Sequence, residues 1–83
     1  MKDNTYNGWK NRQTWNVSLW INNDESLYRM AVDFMKTYTG SKPYATFIRR
    51  YGMQEERTPD RIKFLSNALD YKALNEMMLE LVN

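Results

Sequence analysis

Gly8-Trp9-Lys10-Asn11-Arg12-Gln13-Thr14-Trp15-Asn16-Val17-Ser18-Leu19-Trp20-Ile21 holds all three tryptophans of an 83-residue chain. Its conformation decides between an all-α domain and an α+β one. Trp15, Val17, Leu19 and Ile21 alternate with Asn16 and Ser18, the period-two pattern of a half-buried strand, with Trp20 as the exception. The same residues also read as a helix. Asn11 would be its N-cap, Trp15 and Leu19 would share one face, and Val17, Trp20 and Ile21 another. Helix is preferred over 11–22, because a lone strand needs a partner and the remaining sequence offers no second strand. With a strand at 11–22 the fold would be α+β.

The rest of the chain reads as helices. Asn22-Asn23-Asp24-Glu25 has the spacing of a capping box, with Glu25 three residues after a capping Asn22. Behind it Leu27, Tyr28, Met30, Ala31, Phe34, Met35 and Tyr38 follow helical spacing, and Gly40 would close that helix in a left-handed conformation. Ser41-Lys42-Pro43 opens a further helix with Pro in the first turn. Tyr44, Phe47, Ile48 and Tyr51 form its apolar face, and Gly52 ends it. Thr58-Pro59 repeats the device and predicts a helix carrying Ile62, Leu65, Ala68 and Leu69 on one face, with Phe64 beside them. Asp70 caps the last helix, whose buried stripe is Leu74, Met77, Met78, Leu81 and Val82. The expected architecture is an all-α, compact bundle of four to five short helices, a single domain over 1–83 with a polar, flexible lead-in at 1–7.

Composition removes several functions. With no Cys there is no disulfide or thiolate nucleophile, and with no His the commonest general base and metal ligand is missing. Glycines are too few and too far apart for a phosphate-cradling loop. Asp24, Glu25, Asp60 and Asp70 fall where helix N-termini favour negative charge, which accounts for them without catalysis. No cofactor, no metal and no enzymatic activity are expected. The absence of a long apolar run and of Cys suggests a cytoplasmic protein.

Two sets of residues are candidate binding sites. Trp9 and Trp20 break the local pattern and, with Arg12 close by, are the residue types that dominate protein–protein contacts. Asn11, Arg12, Thr14 and Asn16 read more simply as caps and buried hydrogen bonds at the junction. Lys42, Arg49 and Arg50, with Lys36 nearby and Tyr44 and Tyr51 as stacking faces, form the basic set that a nucleic-acid-binding protein would use. Exposed tryptophans meeting across a two-fold axis would instead give a self-associating homodimer.

The run from Asn7 to Ile21, followed by Asn23-Asp24-Glu25 and Leu27-Tyr28, resembles a family of small uncharacterised proteins of bacteriophages, other mobile elements and bacteria. Their opening reads approximately G-W-x-N-R-E-T-W-N-V-x-L-W-I-x-N-D-E-x-L-Y. Asp70-Tyr71-Lys72-Ala73-Leu74 is similar to their closing helix, and Gln13 stands where the family usually has Glu. The resemblance implies a phage or mobile-element setting and supplies no activity. It leads to the expectation of a protein-binding effector in the host cytoplasm whose partner is a host protein, such as a component of a defence system like CRISPR interference.

Overall fold

A computed structural model of the chain describes residues 6–82, and in it the tryptophan segment is a helix. Four helices run in order: α1 (Arg12–Asn23), α2 (Glu25–Thr37), α3 (Pro43–Arg50) and α4 (Tyr71–Glu80). Among the described residues there is no strand, only two isolated bridges at Tyr6–Trp9 and Arg57–Lys63. The architecture is the expected all-α bundle.

Asn11 caps α1 through its side chain, which accepts the Thr14 N–H at 2.9 Å. One residue makes the corner between α1 and α2. The Asp24 N–H closes α1 on the Trp20 carbonyl at 2.9 Å, and its carboxylate opens α2 by accepting the Leu27 N–H at 3.0 Å. The expected cap, Asn22, instead lies inside the last turn of α1 and donates to the Ser18 carbonyl and the Met77 sulfur. Asp24 displaces it because α1 runs two residues further than the capping-box spacing implies.

Gly40 is likewise not the left-handed cap. α2 stops at Thr37 with an extended Tyr38 as its C-cap. Gly40 is needed for space, since a Cβ there would collide with the Tyr38 ring and hydroxyl. That ring is held by stacking on Phe34 and by the Lys42 N–H. Pro43 starts α3 as predicted, and Gly52 (φ +68°) ends it. The Gly52 N–H reaches the Arg49 carbonyl and the Met53 N–H the Ile48 carbonyl, the paired bonds of a Schellman turn.

The fifth predicted helix does not form. From Tyr51 to Asp70 the chain is irregular. Thr58-Pro59-Asp60-Arg61 is a turn, closed by the Arg61 N–H on the Thr58 carbonyl at 2.7 Å, with Pro at its second position and Arg61 at φ 71°. The Thr58 hydroxyl accepts from the Asp60 and Ile62 amides, and the Thr58 N–H donates to the Ile62 carbonyl. In a helix starting at Thr58 that last bond would run the opposite way. Phe64 and Leu69 still enter the core, while Ala68 is exposed.

All four helices and this connector supply one core. Val17 and Ile21 come from α1, Ala31, Phe34 and Met35 from α2, Tyr44, Phe47 and Ile48 from α3, and Leu74, Met77 and Met78 from α4. α1 packs chiefly on α2 and α3 on α4, and α4 also touches both members of the first pair. The Tyr44 hydroxyl is buried and donates to the Phe64 carbonyl at 2.6 Å, and burial pushes it well above the usual phenol range. Val82, placed in the apolar stripe of α4, is exposed. The lead-in predicted over 1–7 lies, for residues 1–5, outside the described residues, and Tyr6 and Asn7 belong to a defined turn.

Candidate functional site

That turn positions Trp9. Asn7 (φ 51°) and Gly8 (φ 89°) both sit in the left-handed region, which is the backbone a two-residue type I′ turn demands and why Asn-Gly stands there. Tyr6 and Trp9 exchange both backbone hydrogen bonds across it. The Tyr6 ring then packs on Trp15, centroids 4.9 Å apart. Trp9, Trp15 and Trp20 are all half-buried. None belongs to the fully enclosed core, and none stands free.

Asn11, Thr14 and Asn16 make the cap and buried hydrogen bonds expected of them, Arg12 is exposed, and the bonds reach further along the chain than the junction. They hold the irregular connector against α1. Thr14 and Asn16 are completely buried. The Asn11 amide donates to the Ala68 carbonyl at 2.6 Å, and the Thr14 hydroxyl accepts the Asp70 N–H at 3.0 Å while donating to Asn11 Oδ1. Two residues on, Asn16 Oδ1 accepts from the Thr58 hydroxyl at 2.7 Å, and its amide donates to Asp60 Oδ2 at 2.7 Å. The Trp20 indole N–H donates to the same oxygen at 3.0 Å. Helical spacing aligns Asn16 with Trp20 on one side of α1, so one carboxylate meets both donors.

Asp60 therefore has no helix N-terminus to decorate. It is the acceptor of this clasp. The hydrogen bonds from Asn16 and Trp20, with the exposed Arg12 adding a favourable charge, hold its carboxyl below the usual carboxylate range. Since the folded value is depressed, the clasp's contribution is complete above the unfolded value of about 3.9 and is lost as pH falls through the folded value. Asp60→Asn should remove that dependence. The gap in melting temperature between wild type and variant, measured at pH 7 and again near pH 3, should shrink at the lower pH.

Two of the recesses in the surface take in candidate residues. A groove of about 530 Å³ is lined by Gly8, Trp9, Asn22, Tyr28, Ala73, Glu76, Met77, Glu80 and Leu81. Trp9, Tyr28, Met77 and Leu81 give it an aromatic and thioether floor, and Glu76 and Glu80, one turn apart on α4, give it an acidic side. Of the three residues proposed for partner binding, Trp9 lines this groove. Arg12 and Trp20 do not, and the Trp20 N–H is engaged by Asp60.

On the other side, a cleft of about 410 Å³ is lined by Lys42, Ala45, Arg49, Asn67, Tyr71 and Asn75. The basic set is thus divided. Lys42 and Arg49 enter the cleft, whereas the Arg50 guanidinium lies over the Phe34 ring, 5.3 Å from its centroid. Lys36 is next to Asp33 at 3.7 Å. Of the two stacking faces expected for nucleic acid, Tyr44 is enclosed in the core because its ring and hydroxyl are both used there, and Tyr51 is exposed.

Sequence reasoning missed Asp60 and Thr58 as partners of Asn16, since they lie more than 40 positions away. Glu76 and Glu80 were legible as an i, i+4 pair, but nothing local places Trp9 opposite them. Among the described residues no group of three Asp or Glu side chains gathers to hold a metal, and no helix is long and apolar enough to cross a membrane.

No curated protein and no solved structure matches the chain. A family model does, over residues 2–83, nearly the whole length on which the groove, the clasp and the cleft are built. The chain belongs to that family, described as a family of unknown function, DUF7249.

Proposed function

We infer that the chain acts by binding another protein, without catalysis of its own, and that the Trp9 groove is the binding surface. One observation carries this reading: a recess floored by Trp9, Tyr28, Met77 and Leu81 has Glu76 and Glu80 on one side and no Lys or Arg in its lining. Aromatic and Met side chains supply contact area at low conformational cost, and the two carboxylates select the sign of the partner's charge. The occupant that fits is an amphipathic segment with apolar residues on one face and Lys or Arg on its border. The resemblance to phage and mobile-element proteins supports a host protein as owner of that segment, with a defence complex such as CRISPR interference as the class of target.

Charge reversal is the direct test. A helical peptide of Leu and Lys alone should shift the NMR resonances of the Trp9 indole and the Met77 methyl on titration. Its Leu/Glu counterpart should not. Glu76→Lys with Glu80→Lys, both exposed positions, should weaken the Leu/Lys complex about tenfold or more. Equal binding of both peptides, or a Leu/Lys complex indifferent to the reversal, would overturn the assignment. In host cells, a photo-crosslinker at Tyr28 should trap a basic segment, identified by mass spectrometry, and lose it in the reversed variant.

A further inference from the structure

The cleft at the start of α3 has a chemistry that neither the protein-binding groove nor the clasp uses. Lys42, Ala45 and Arg49 stand on one side at helical spacing. Asn67, Tyr71 and Asn75 stand on the other. Both cations are exposed, and among the described residues neither makes an ion pair. No carboxylate lines the cleft.

Donors predominate among the polar groups that remain available there: the two cations and the Asn75 NH₂ can only donate, and the Asn67 amide can donate or accept. Asn75 is oriented by the Tyr44 N–H, which its Oδ1 accepts at 3.0 Å, so its NH₂ is left to donate. The Tyr71 hydroxyl is occupied on both counts, donating to the Ser66 carbonyl at 2.8 Å and accepting the Ser66 N–H at 3.1 Å. Tyr71 therefore offers the cleft its ring, which is braced by the buried Tyr44 at 6.0 Å. Two unpaired cations, an oriented amide donor and an aromatic wall converge on a space within the range of small-ligand sites.

We propose that this cleft binds a small phosphate monoester. Arg49 forks onto two phosphate oxygens, Lys42 adds a point charge, the Asn75 amide donates to a third oxygen, and the Tyr71 ring packs on the organic part. A bare anion leaves much of the space empty. An extended nucleic-acid strand needs a continuous basic track, and Arg50, the next cation along, lies over Phe34 instead. The proposal is independent of the protein-binding reading, which uses none of these residues.

Titrations of the full chain followed by ¹H–¹⁵N NMR would test it, with AMP, glucose 6-phosphate, inorganic phosphate, adenosine and a single-stranded oligonucleotide as probes. At least one of the two esters should give saturable shifts at the Ala45 amide and the Asn75 NH₂. The ester that binds more tightly identifies the nucleotide or the sugar as the source. Inorganic phosphate should bind more weakly, and adenosine should not bind. Arg49→Gln should weaken the ester at least tenfold, with partial recovery in Arg49→Lys, and Arg50→Gln should leave it unchanged. These are exposed positions, so an unaltered spectrum without ligand shows that the fold survives. The proposal fails if neither ester saturates, if adenosine binds as well as AMP, or if the oligonucleotide binds in preference. It fails equally if Arg49→Gln has no effect or Arg50→Gln costs as much.

Discussion

Asn16→Ala should lower the stability of the domain by about 3 kcal/mol, far more than an Asn to Ala change on a surface helix. Asn16 is fully buried and uses both ends of its amide, one on the Thr58 hydroxyl and one on Asp60. Truncation leaves the buried Thr58 hydroxyl without its acceptor and the Asp60 carboxylate with one donor fewer. An unpaired buried group costs roughly 1–3 kcal/mol, and the vacated volume adds to that. A domain of this length has about 4–12 kcal/mol in total, on the usual 0.05–0.15 kcal/mol per residue, so the melting temperature should fall by more than about 10 °C. Asn16→Asp should be worse at neutral pH, because it sets a second carboxylate where a donor met Asp60. Chemical denaturation of both variants checks this, with exposed Asn23→Ala expected within about 0.5 kcal/mol of wild type. An Asn16→Ala midpoint equal to that of Asn23→Ala would refute the clasp as a source of stability.

Phe47→Ala should cost more, about 3–5 kcal/mol. Phe47 is completely enclosed on α3, with Phe34 of α2 at 5.5 Å and Tyr51 edge-on at 5.2 Å. α2 and α3 meet through few other residues, so removing this ring leaves a cavity on that side of the core. Such a loss approaches the whole stability of the domain, and the variant should be largely unfolded at 37 °C. Far-UV circular dichroism should show helix content well below that of wild type, and Phe47→Leu, which keeps most of the volume, should retain it.

The helices were legible where a local rule and the burial pattern agreed. Pro43 at the start of α3, Gly52 at its end and the Asp70 cap of α4 all stand as read, and so does the apolar spacing of α2 except at Tyr28, which is exposed. The tryptophan segment was ambiguous because its buried face mixes Val17 and Ile21 with Thr14, Asn16 and Ser18. Polar residues at core positions blur both periodicities. Thr58-Pro59 carries the same helix-start signal as Lys42-Pro43, yet only the second succeeds. The Thr58 hydroxyl still accepts the Asp60 N–H as a cap would, but Thr58 and Asp60 are both tied to Asn16, more than 40 positions earlier, and the Thr58 N–H pairs with the Ile62 carbonyl in place of a helical bond. That competitor is tertiary, and no window of local sequence contains it.

The candidate sites were legible to a similar depth. Trp9 was singled out as irregular, and the type I′ turn that aims it was written in Asn7-Gly8. Arg12 and Trp20 were grouped with it by proximity in sequence, but Trp9 lies in the turn before α1 and lines a groove, whereas Trp20, near the end of α1, holds a loop. Lys42, Arg49 and Arg50 looked equivalent as charges. Their rotation about α3 sends Arg49 into a cleft and Arg50 over a ring.

The clasp also has a bearing on the order in which the molecule assembles. Its hydrogen bonds close over 40 to 57 residues, the longest sequence separations among the polar contacts between its side chains and the connector. Chain entropy must be overcome before any of them forms, whereas the helix caps close over three residues. The connector should therefore settle late and open early. The Ile62 and Phe64 amides, whose acceptors lie within that segment, should exchange with solvent through its local opening, while the interior of α2 waits for the whole domain to unfold.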